Sequence, residues 1–185
     1  MNESQKDKTV ALIFKLTFFY FLRVILVCAL SFMAIPLGSF SPKIVWPILA
    51  VFYLLIMLYF FSFTSHSEGL TDRNRIETGI IKNISFKGYI SAGVLALIMI
   101  VIGIVPFLYG YDPSFVVCRI FLILYYLLSM STAFAAQVFV GVDVSDINAE
   151  MNMENLIIRF AVFAVILIIC TVVSGISYKF GLDNK

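Results

Sequence analysis

Apolar residues in this chain gather into five long runs, at residues 16–37, 44–63, 89–109, 115–140 and 156–178, with the polar residues mostly confined to the stretches between them. Each run reaches the ~20 residues that an α-helix needs to cross a hydrocarbon core of about 30 Å. Helices and closed barrels alone satisfy their backbone groups in lipid, and these runs lack the period-two alternation of a barrel strand. The pattern predicts an all-α, polytopic transmembrane helix bundle of about five spans, forming one integral membrane domain over residues 1–185.

The connections are unequal. PLGSFSPK and YGYDP are tight turns marked by Pro and Gly, whereas 64–88 and 141–155 are longer and polar. With the N-terminus inside, Lys6, Lys8, Lys15, Arg73, Arg75, Lys82, Lys87 and Arg159 fall on the inner side, and Lys43, Arg119, Lys179 and Lys185 on the outer. Eight against four favours an inner N-terminus and an outer C-terminus. The acidic segment 141–155, with no Lys or Arg before Arg159, is the weak point in that alternation. Lys6 and Lys8 ahead of an apolar run resemble a signal peptide, but 16–37 is too long for a signal h-region and lacks Ala-x-Ala chemistry, so the first span is expected to stay uncleaved.

Within the second connection, Asn74 and Glu77 have the N-cap and N3 spacing, and Ile76, Ile80 and Ile84 recur every fourth residue. This predicts a short interfacial amphipathic helix between spans 2 and 3. Arg73, Arg75, Lys82 and Lys87 would face anionic headgroups, and Gly88 would end the helix. A solvated connector carrying positive-inside charges is the plainer alternative.

Composition agrees with the pattern. Hydrophobic residues make up 62% of the 185 and charged residues 13%, against roughly 45–50% and about 25% in soluble domains. The net charge of +2 and the absence of a basic patch with interleaved aromatics exclude nucleic acid as an expected partner. Cys28, Cys118 and Cys170 all lie inside apolar runs and form no disulfide framework, so they read as small apolar residues. Trp46, Tyr89, Tyr109 and Tyr178 at run ends suit headgroup belts or ordinary packing.

The stretch Glu68-Gly69-Leu70-Thr71-Asp72-Arg73-Asn74, followed by Gly79-Ile80-Ile81 and by Lys87-Gly88 leading into Tyr89-Ile90-Ser91-Ala92-Gly93, resembles a pattern in small multi-span membrane proteins of clostridia and related Firmicutes. In those proteins a Gly-x-x-Asp-Arg-Asn loop follows the second span. The resemblance covers about 25 residues and the span layout. It implies a shared role for the inner loop, singling out Asp72, Arg73 and Asn74, and a bacterial plasma membrane location; it supplies no activity.

Arg23 lies seven residues into the first run, about 10 Å deep at ~1.5 Å per residue. At that depth a guanidinium costs about 2.5–3.5 kcal/mol on insertion scales. It is expected to snorkel, to bond inside the protein to Tyr20, Ser129, Ser131, Thr132 or backbone carbonyls, or to meet a partner chain. Arg119, near the start of the fourth run, reads as an anchor. On a helix Arg119, Tyr126, Ala133 and Gln137 share one face with small residues nearby, which suits close helix packing or the lining of a cavity.

No catalytic or cofactor motif appears, and no metal pair; the acidic segment 141–155 lacks the ligand order of a calcium loop. His66 is the single histidine, and Asp112 and Asp143 fall on opposite sides of the expected topology. The sequence favours a non-enzymatic, cofactor-free, multi-pass protein of the cell membrane. Its partners would be the lipid bilayer and another membrane protein, to which it would serve as an accessory, assembly or immunity-type subunit. The alternative is a small-solute transporter or importer subunit with Arg23, Tyr126 and Gln137 lining one cavity.

Overall fold

A computed structural model describes residues 3–38, 42–81, 84–108, 116–140 and 153–183. These form five helices: α1 (Glu3–Gly38), α2 (Pro42–Glu77), α3 (Lys87–Leu108), α4 (Val116–Val140) and α5 (Met153–Asp183), with no strand among the described residues. All five contain a span long and apolar enough to cross a membrane. The most apolar window of α2 is only 28% buried, and those of α1 and α5 33%. The exposed remainder is apolar: on α2 it runs through Ile44, Ile48, Val51, Phe52, Leu55, Tyr59 and Phe63, one stripe at helical spacing. Such a face needs lipid as its solvent, so the chain is a multi-pass helical membrane protein.

The helices outrun the apolar runs. At 36 residues each, α1 and α2 are about 54 Å long at ~1.5 Å per residue, well beyond a ~30 Å hydrocarbon core. The excess in α2 is the segment expected to be a connector. Asn74 opens no helix; it lies inside α2, and its carbonyl accepts the Thr78 N–H at 3.0 Å. The amphipathic helix is absent among the described residues between α2 and α3, because α2 ends in a Schellman motif. The Ile80 N–H reaches the Arg75 carbonyl at 2.8 Å, the Gly79 N–H reaches Ile76 at 2.9 Å, and Gly79 sits at φ +70°. That left-handed residue stops an isoleucine repeat from continuing as helix. Gly88 likewise ends nothing; it is the second residue of α3. Lys82 lies outside the described residues.

The helices group into two compact units: Met1–Arg23, Met57–Ala96 and Ile168–Lys185 in unit 1, and Val24–Ile56 and Leu97–Leu167 in unit 2. In unit 2, α4 is buried on every face from 128 to 136. Phe134 stacks on Trp46 and Tyr53 at 5.1 and 5.4 Å, and Tyr125 packs on Phe163 at 5.8 Å. The Cys28 thiol donates to the Leu128 carbonyl at 3.2 Å, which agrees with its reading as a packing residue.

Unit 1 corrects the expected position of the C-terminus. Gly88 of α3 faces Tyr178 of α5 and Gly93 faces Thr171, so α3 and α5 run antiparallel. Strict alternation of five complete crossings would make them parallel; the antiparallel pair leaves an even number of complete crossings among five helices that are each long and apolar enough to span. In unit 2 the Phe107 and Phe160 rings lie 5.6 Å apart, so α5 runs beside α3 there as well. The end of α5 therefore lies with the starts of α1 and α3. Reporter fusions after Lys185 and before Met1 are expected to report the same side of the membrane; opposite sides would contradict the pairing of α3 with α5.

Candidate functional site

The inward face of α2 keeps one register along the helix: Trp46, Ala50, Tyr53, Met57, Phe61, Ser65, Gly69 and Asp72 are all buried at intervals of three or four. Its chemistry changes from apolar to hydroxyl to charge while the spacing persists. Two polar layers result in unit 1.

In the hydroxyl layer, the Tyr20 hydroxyl hydrogen-bonds to Ser65 at 2.6 Å and to Ser174, and Ser65 and Ser174 lie 2.6 Å apart. The Tyr20 ring stacks on Phe61 at 4.8 Å, nearly parallel at 3°. Ser62 meets Ser177 at 2.8 Å, and Thr17 donates to the Ser91 carbonyl at 3.1 Å. Hydroxyls of this kind join helices where the apolar effect between them is weak.

The charged layer is centred on Asp72, which is fully buried. Lys87 donates through Nζ to Asp72 Oδ2 at 2.6 Å and to Glu68 Oε1 at 2.9 Å. Arg75 donates through Nη1 to Asp72 Oδ1 at 2.8 Å and to Glu68 Oε1 at 3.4 Å. The Tyr178 hydroxyl donates to Asp72 Oδ2 at 2.7 Å, and its ring lies 5.9 Å from Lys87 Nζ. Lys87 and Tyr178 are as inaccessible as Asp72. Two carboxylates meet two cations, so the cluster is neutral, and one aspartate ties α2 to α3 and α5. A carboxylate without water persists only with such partners.

Two glycines permit the approach. A Cβ on Gly69 of α2 would strike the Tyr178 carbonyl and lie 3.1 Å from the Gly181 Cα, and one on Gly181 would strike the His66 carbonyl. Glycine at both positions lets α2 and α5 touch backbone to backbone.

Of the residues singled out from sequence, Asp72 is at the centre of this site. Arg73 and Asn74 are beside it but turned outward: Arg73 pairs with Glu77 at 2.8 Å across a half-exposed turn, and Asn74 is exposed. Arg23, in the same unit, places its guanidinium 5.1 Å from the Phe60 ring, while Tyr20 is committed to the serines. Tyr126, Gln137 and Arg119 belong to unit 2, where the Tyr126 ring lies 4.6 Å from the Arg159 guanidinium and Arg119 is exposed. The expectation that Lys87 faces headgroups is overturned, since it is buried against two carboxylates; Trp46 and Tyr178 are buried as packing residues. Glu68, Arg75, Lys87 and Tyr178 were not expected to form a site. The 68, 72, 75 spacing, one face of a helix, was the available signal. No protein-family model, curated protein or solved structure matches this chain.

Removing one partner from a buried pair costs about 3–5 kcal/mol, whereas an exposed i,i+4 pair contributes about 0.3–0.5. Asp72→Ala is expected to lower the midpoint of thermal unfolding in detergent far more than Glu77→Ala, and Gly69→Val to act like Asp72→Ala. Equal small shifts for all three would contradict the site as described.

Proposed function

We propose that this multi-pass membrane protein is a non-catalytic accessory or assembly subunit that acts by holding a fixed helix surface against another membrane protein. One observation supports the reading above the others: Glu68, Asp72, Arg75 and Lys87 neutralise one another within unit 1, which suits a fastened scaffold better than a site that must bind and release charge. Arg73, in a surface pair with Glu77, and Asn74 are carried on the outer face of the same turn of α2 and are the side chains offered to a partner.

A second reading, a small-solute carrier, draws on unit 2. There α4 buries Ser129, Ser131 and Thr132, and Ser129 Oγ and Gln137 Oε1 have no hydrogen-bond partner among the described residues. Arg23, the third residue of the trio expected to line one cavity, belongs to unit 1.

Crosslinking in native membranes followed by purification of the full chain separates the two. The accessory reading expects one membrane protein at near-stoichiometric yield, reduced about tenfold by Arg73→Glu with Asn74→Arg while the chain keeps its thermal stability. A chain that purifies alone, and whose proteoliposomes accumulate a solute in a manner sensitive to Gln137→Leu, would overturn it in favour of the carrier.

A further inference from the structure

The start of α3 and the end of α5 in unit 1 form a second feature outside the charged layer, an open cleft of about 420 Å³ lined by Tyr89, Ile176, Lys179, Phe180 and Asp183. We propose that this cleft binds a zwitterionic phospholipid of the phosphatidylethanolamine type.

Its depth is set by sequence: the apolar run of α3 begins at Tyr89 and that of α5 ends at Tyr178, so these residues sit where hydrocarbon gives way to headgroups. Its charges are paired in the order a zwitterion requires. Lys179 and Asp183 are one turn apart on the same face of α5, and neither forms an ion pair with another described residue. Asp183 lies in the last turn of α5, which carries no basic residue, so its carboxylate adds to the negative end of the helix dipole instead of offsetting it. That combination attracts an ammonium group, and Lys179 supplies the cation for the phosphate.

The apolar wall faces the acyl side. Phe180 is 68% exposed and Ile176 44%, and the Tyr89 ring is seated on Gly175, where any Cβ would occupy the ring's own position. A wall fixed by packing loses little freedom on binding. Phosphatidylglycerol offers the phosphate but no ammonium, and Asp183 repels it.

Native mass spectrometry of the full chain in detergent, with phosphatidylethanolamine and phosphatidylglycerol added in equal amounts, tests the assignment. Phosphatidylethanolamine adducts are expected to exceed the others at least about fivefold. Asp183→Asn should abolish the preference, Lys179→Gln should weaken both lipids, and Asp183→Lys should favour phosphatidylglycerol. Both positions are exposed and outside the ion pairs, so each variant should elute as the parent chain does. Equal adducts in the parent chain, no retained lipid, or an unchanged preference in Asp183→Asn would overturn the proposal.

Discussion

A carboxylate sealed from water at Asp72 must keep its counter-charges, and that requirement organises unit 1. Lys87 must come from α3, Tyr178 from α5, and Arg75 and Glu68 from the neighbouring turns of α2. Lateral packing alone holds membrane helices weakly, because lipid tails are as apolar as leucine. A charged layer at the end of the bundle adds position and register that apolar faces cannot. The glycine contact between Gly69 and Gly181 and the hydroxyl layer of Tyr20, Ser65 and Ser174 serve the same end: each allows or fixes an approach that brings α5 to Asp72.

The five helices were legible because length and apolar content are one-dimensional properties. Their ends were not. Residues 64–77 read as a connector because their side chains are polar, yet the inward register of Met57, Phe61 and Ser65 continues to Asp72 without a break. Polarity at the end of a long helix marks where lipid stops, and it need not mark where helix stops. Asn74 and Glu77 imitated a helix start, but Gly79, two residues on, was the stronger signal, since its left-handed backbone completes a helix end.

Asp72 was visible as a candidate through local pattern, whereas Lys87 and Tyr178 were hidden for different reasons. Lys87 looked like one more positive-inside charge, and Tyr178 lies 106 residues from Asp72 in sequence. The direction of α5 hid it further. A count of apolar runs sends α5 along α3, and the acidic segment 141–155 was where that count was weakest; packing of Gly88 on Tyr178 reverses it. Unit 1 pairs the charges of its buried layer with one another, and unit 2 buries uncharged hydroxyls along α4.

A double-mutant cycle on Asp72→Asn and Lys87→Met, read by equilibrium unfolding of the full chain in mixed detergent micelles, tests the central claim most directly. If the two side chains form the link between α2 and α3, the double variant loses less than the two single variants together, with a coupling of at least about 1 kcal/mol. Losses that add to within about 0.3–0.5 kcal/mol would show two independent residues and no lock.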